Sequence, residues 1–256
     1  MFAAVPLIQV VINSFRTDGD SKTRPIGLPK EWVFNNYVET WQIGDYGPAF
    51  INSLIICFFV IIIVLLLVGL GAYALAKLPF KGRGFFIAYF FVAMSLPSFL
   101  YIIPDYYMMN SLGLINSRAG LIMIYVATET PFNMLLLRTF LLGIPRELEE
   151  AAKIDGCDEL ETFFRITLPI AKTIFMTVAM LVFVDVWNEF LWANTFLYKD
   201  ALKTVAVRYV RFTGAYSSNM ARIYTASVIT MAPVIIMYLV FNRRFIEGLT
   251  SGSIKG

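Results

Sequence analysis

Five stretches of this chain run for roughly 20 residues almost without charge, and that pattern closes off most folds. A helix needs ~20 mostly apolar residues to cross the hydrocarbon core of a bilayer. Residues 54–76, 84–104 and 223–242 carry no charged side chain, 119–137 is broken only by Glu129, and 173–198 only by Asp185 and Glu189. A soluble domain of this size could not bury so much apolar surface. Hydrophobic residues make up 58% of the chain and charged ones 15%, against about 25% charged in soluble domains. The expectation is all-α: a polytopic membrane helix bundle forming one transmembrane domain over residues 1–256.

Residues 1–15 are also apolar and uncharged. At ~1.5 Å per residue they reach about 22 Å, short of a ~30 Å hydrocarbon core. A signal peptide would place basic residues before its apolar stretch, yet the first one here, Arg16, follows it. We read 1–15 as the outer part of a first span that is incomplete in this chain, giving six spans in all. Because spans alternate, 77–83, 138–172 and the tail 243–256 share one side. Lysine and arginine divide almost evenly between the two sides, so the positive-inside rule does not decide. The clusters Lys77, Lys81, Arg83 and Arg243, Arg244 tip the reading towards that first side being cytoplasmic.

Several function classes drop out. The chain has no histidine, so His-based acid–base catalysis and His metal sites are excluded. Cys57 and Cys157 are too few for a cluster. A net charge of +3 leaves no large basic footprint for nucleic acid. No G-x-x-x-x-G-K-[ST] phosphate loop is present, so the chain does not hydrolyse ATP by that route. Neither a metal nor a cofactor is expected in this chain.

The loop at 142–170 is too polar to span and too patterned to be slack. Pro145 suits the first turn of a helix, and Glu147, Glu149 and Glu150 lie near its positive end. Leu148, Ala151, Ala152 and Asp155 are spaced to share one flat side. Gly156 suits a left-handed helix end. Asp158 and Glu161 are spaced as a capping box for a second short helix, whose stripe holds Leu160, Phe163, Phe164 and Thr167, with Pro169 at its end. An interfacial lipid anchor would be rich in Lys and Arg, whereas this segment is acidic. It suits a docking element for a protein.

Here the residues resemble a known family. Glu150-Ala151-Ala152, then Gly156, then Ile166, then Leu168-Pro169, with Asp155 and Phe163 also fitting, is similar to the EAA loop of ABC importer membrane subunits. Seven fixed residues at ~1/15 usage each give a chance match on the order of 10⁻⁸ per start position. One departure is Thr173, where the family often has a second proline. Asn52-Ser53, Ala72-Tyr73-Ala74-Leu75-Ala76-Lys77 and Trp187-Asn188-Glu189-Phe190 extend the resemblance over nearly the whole chain. The end, from Gly248 through Gly252 to Lys255 and Gly256, resembles the tail of sugar-importer subunits of the maltose type. The resemblance implies a permease subunit of a sugar or oligosaccharide importer working by alternating access in the cell membrane. It implies a second, different permease subunit, an ATPase dimer carrying ATP and magnesium, and an extracellular solute-binding protein. The alternatives are a permease for another solute and a stand-alone carrier.

Within the spans, Asp185, Asn188, Glu189 and Trp192 are spaced to share one helix face. Intramembrane ionisable groups face a cavity or a partner. Two readings fit: a lining for the solute path, with Trp187 or Trp192 offering a ring face, or helix-to-helix hydrogen bonding. Glu129, Pro131 and Asn133 read as a kink with local hydrogen bonds, as do Pro97 and Pro104. Trp32, Phe34, Tyr37 and Trp41 read as an interfacial aromatic segment. The tail lacks an apolar face; Gly248, Gly252 and Lys255 are candidate contacts to the ATPase.

Overall fold

The computed structural model describes residues 4–215 and 219–251, with side chains over 5–214 and 219–241. Among the described residues every regular element is helical. Three short helices come first: α1 Ala4–Asn13, α2 Asp18–Thr23 and α3 Asn35–Ile43. Then follow α4 Tyr46–Lys77, α5 Arg83–Ser95, α6 Ile102–Ser111 and α7 Arg118–Leu142. The loop contributes α8 Glu147–Ile154, α9 Glu159–Thr162 and α10 Leu168–Ile170, and the rest is α11 Lys172–Asn188, α12 Leu191–Phe196, α13 Val205–Ala215 and α14 Met220–Ser251.

Three helices are long and apolar enough to cross a membrane: α4, α7 and residues 220–241 of α14. Helix α4 is apolar all round, which suits a lipid or partner environment on one side and a core on the other. Its Val60, Val64, Val68 and Ala72 are fully buried, while Phe58 and Leu66 stay 59% and 53% exposed. Two further candidates are bent pairs. Helix α5 and the segment Ser98–Ser111 meet at 91°, and Glu159–Ile170 meets α11 at 81°. The described residues therefore hold three to five spans, and α1, at ten residues and ~15 Å, is not a full crossing.

Two expected spans are interrupted. The run 84–104 stops at Leu96, because Pro97 lacks an N–H and disfavours helix before it, and the chain restarts as a 3-10 turn, Ser98–Tyr101. The run 173–198 breaks at Glu189–Phe190 and resumes as α12. The tail also differs from its composition: α14 runs on through Gly248 to Ser251, because extending an existing helix needs no new nucleus. Gly252 and Lys255 lie outside the described residues.

The chain divides into two compact units. One comprises Met1–Ile55, Asn116–Arg118 and Trp187–Tyr238. Several of its buried polar groups are met by partners. The Asn52 amide donates to Ala201 O at 2.9 Å and Lys203 O at 3.0 Å and accepts from Arg118 Nε at 2.8 Å. Ser53 Oγ accepts from Val205 N at 3.0 Å, and buried Arg208 pairs with Asp45 at 2.9 Å. Phe15 gathers Trp32, Phe34 and Tyr37 within 5.0–5.7 Å, while Trp32 and Phe34 remain largely exposed.

The second unit comprises Ile56–Ile115, Ala119–Val186 and Leu239–Gly256. Here Gly69 of α4 lets α11 come close: a Cβ there would lie 2.8 Å from the Phe175 ring. Phe175 in turn meets Phe163, which packs on Tyr73 with centroids 5.4 Å apart. These rings seat the 142–170 loop against the foot of α4.

Candidate functional site

The loop helices form as their end signals dictate. Helix α8 starts from Arg146, with Pro145 one place earlier, and carries Glu147, Glu149 and Glu150 in its first turn. It ends in a Schellman motif: Cys157 N donates to Ala152 O at 3.0 Å and Gly156 N to Lys153 O at 3.1 Å. Gly156 has φ +87°, the left-handed conformation that its lack of a Cβ permits. The capping box is present: Asp158 Oδ1 accepts from Glu161 N at 2.8 Å, and Asp158 N donates to Glu161 Oε2 at 3.3 Å. After α9 the helix slips into a π turn over Phe163–Thr167 before α10.

The faces differ from the expected ones. Ala152 is buried with Glu149, whereas Leu148, Glu150, Ala151, Asp155 and Gly156 are exposed. The cause is an ion pair. Lys77, ending α4, sits 3.1 Å from Glu149 Oε1 and donates to Ile144 O at 2.7 Å, with side chains only 3% and 10% exposed. That pair turns Glu149, and Ala152 three residues on, towards α4. The stripe of the second helix splits likewise: Phe163 and Thr167 are buried, Leu160 and Phe164 exposed. Ile166 and Leu168 are half-buried and Pro169 exposed. Tyr73 Oη donates to Glu159 Oε2 at 3.3 Å, and Lys153 bridges to Glu159 at 2.6 Å.

The pairs differ in weight. The Lys153–Glu159 bridge is exposed, and such pairs contribute about 0–1 kcal/mol. Removing one partner of a buried pair costs about 3–5 kcal/mol, because a charge is left desolvated. Lys77–Glu149 is thus the principal polar tie between loop and span. The pair has no signature in the sequence, since 72 positions separate its members and only the fold joins them.

The outward surface of the loop is mixed. Leu148, Ile154, Leu160 and Phe164 are exposed apolar side chains, Ile154 at 87%. Around them stand the exposed carboxylates Glu147, Glu150, Asp155 and Asp158. An apolar centre with a charged border is the anatomy of a protein–protein contact.

The span residues separate from one another. Asp185 and Asn188 are exposed near the end of α11. Glu189 is no longer on that helix. It caps the next one, its Oε1 accepting from Trp192 N at 2.8 Å and its Oε2 from Ala193 N at 3.1 Å. A helix start leaves its N–H groups unpaired, and the carboxylate meets two of them. Trp192 and Trp187 are buried, so neither ring is open to a solute. The expected shared face is thereby corrected. In α7 the Asn133 amide donates to Glu129 O at 2.8 Å and to Glu129 Oε2 at 3.3 Å, around Pro131, which is the expected local network.

The family described as "Binding-protein-dependent transport system inner membrane component" matches residues 66–248, a stretch that contains the whole loop. The chain belongs to that family. It is therefore a multi-pass permease component of the cell membrane. This permease is 34% identical to the probable ABC transporter permease YurM of Bacillus subtilis, covering 99% of this chain and 84% of the relative. It is also 34% identical to the diacetylchitobiose uptake system permease NgcG of Streptomyces coelicolor, over 98% and 84%. The melibiose/raffinose/stachyose import permease MelC of Bacillus subtilis is 31% identical, over 98% and 91%. Among solved structures, a bacterial ABC transporter involved in import of the acidic polysaccharide alginate has a chain similar at TM-score 0.82 and 25% identity, covering 95% of this permease and 91% of that chain.

Proposed function

We propose that this permease is one membrane subunit of an ATP-driven importer for sugars or oligosaccharides. The observation that carries the reading is the loop: exposed apolar side chains with an acidic border, tied through a buried ion pair to a long apolar helix. Such a device converts movement of a docked protein into movement of a span. The permeases named above that state a solute handle saccharides, which supports the choice of substrate class.

In this account the complex holds a second, different permease subunit, an ATPase dimer and an extracellular solute-binding protein. ATP and magnesium are bound by the ATPase. Six spans complete the fold, and residues 77–83, 138–172 and the tail lie in the cytoplasm. Closure of the ATPase dimer on ATP presses on Leu148, Ile154, Leu160 and Phe164. Lys77–Glu149 and the Tyr73–Phe163–Phe175 rings pass that displacement to α4 and α11, switching access from one side to the other. Asp185 and Asn188 line the solute path. Gly248, Gly252 and Lys255 contact the ATPase.

Affinity purification of the tagged permease from its native membrane tests the reading. An ATPase subunit should co-purify in equal amount with the permease pair, and Ile154→Asp with Leu160→Asp should release it. A permease that purifies without any ATPase while remaining active in uptake overturns it.

A further inference from the structure

Beside Asn188, the unit that carries it contains a recess of about 410 Å³ whose other walls the functional reading above does not use. Three pieces of backbone make it. Helix α11 ends at Asn188, and the chain leaves at Phe190. Ala206, Tyr209 and Val210 lie at i, i+3 and i+4 on α13, and Ser227, Thr230 and Met231 repeat that spacing on α14. One face of each helix therefore forms a wall. The walls are fixed from behind. Buried Trp187 donates its indole N–H to Thr230 O at 2.9 Å and meets the Phe50 ring edge-on at 5.5 Å. Pro233, one turn further along α14, lacks the N–H that would bind Ile229 O. Tyr46 Oη lies 3.4 Å from Thr230 Oγ1, and Ser227 Oγ lies 3.3 Å from the Tyr209 hydroxyl.

We propose that this recess is a subsite for one ring of a neutral sugar, with Tyr209 and Phe190 as apolar platforms and Asn188, Ser227 and Thr230 as hydrogen-bonding groups. This rests on the sugar-importer reading and narrows it. A pyranose offers a C–H face and a girdle of hydroxyls. It needs aromatic surface beside groups that donate and accept: an amide does both, and Ser227, whose own proton goes to Ile223 O at 2.8 Å, accepts. The volume falls in the ~300–1,000 Å³ range of small-molecule sites. No ionised side chain lines the recess. A uronate, amino acid or phosphate would enter without a counter-charge, and an unpaired charge there is costly. The lining therefore selects neutral saccharides over acidic ones.

Thiol protection tests this. The assembled complex carrying Ser227→Cys, and separately Met231→Cys, is treated with a small polar thiol reagent, and labelling at each position is read by mass spectrometry. Uptake of raffinose, diacetylchitobiose and trigalacturonate into proteoliposomes is measured on the wild type in parallel. The expected result is that a transported neutral sugar slows labelling at both positions at least fivefold and that trigalacturonate does not. Unchanged labelling in the presence of a transported sugar overturns the subsite while leaving the importer reading intact. A thiol that never reacts shows that the recess is closed to polar solutes, which also overturns it. Protection by trigalacturonate overturns the selectivity for neutral sugar. Absence of wild-type uptake of every sugar overturns the importer reading itself, and the subsite with it.

Discussion

A lysine at the foot of an apolar helix is costly to bury unless something meets its charge. Lys77 is met twice, by Glu149 and by the Ile144 carbonyl. Lys77→Met alone strands the Glu149 carboxylate and should cost about 3–5 kcal/mol, whereas Lys77→Met with Glu149→Leu should recover most of that. Thermal unfolding of the detergent-solubilised permease reads both variants; equal losses in single and double variants would show that the pair does not couple. Asp200 allows a pH prediction. Lys203, hydrogen-bonded and 2.8 Å away, holds its carboxyl below the usual carboxylate range, with Arg208 and Arg211 adding to the effect. Because the folded value is depressed, the contribution is present above the ordinary value of ~3.9 and is lost as pH falls through the folded one. The wild type should exceed Asp200→Asn slightly in melting temperature at pH 6, and the gap should shrink as pH falls below ~3.9. The gap is small because Asp200 is 63% exposed.

At the scale of elements, the loop was legible because its signals are local. Asp158 and Glu161 cap, and Gly156 ends α8, because each needs only neighbours within a turn. The hidden faces were not legible. Which side of α8 turns inward depends on Lys77, far away in sequence, and the π turn at Phe163–Thr167 accompanies the packing of Phe163 on Tyr73 and Phe175. The helix breaks were half legible: Pro97 announced a kink but not a 91° bend, and nothing at Glu189 distinguished a cap from a lining residue. Gly156 gives the test at this scale. A Cβ there meets open space, so the only obstacle is φ. Gly156→Asn, tolerated in the left-handed region, should keep ATP-coupled transport, while Gly156→Val, strained by about 1–2 kcal/mol or more, should lower transport per ATP hydrolysed several-fold. Equal coupling in both variants would separate the glycine from the mechanism.

For the whole molecule, the all-α membrane class followed from the charge-free runs alone, because a bilayer leaves a single chain of this pattern little choice but helices. The number of crossings did not follow as simply, since two runs bend rather than pass straight through. The central claim is that ATP, through a docked partner, drives this permease. ATP-dependent uptake by the purified complex in proteoliposomes tests that claim most directly. Uptake of a neutral oligosaccharide should require ATP on the loop side and the solute-binding protein on the other, and should fall to background with Ile154→Asp and Leu160→Asp. Uptake that proceeds without ATP, driven by an ion gradient, would contradict it.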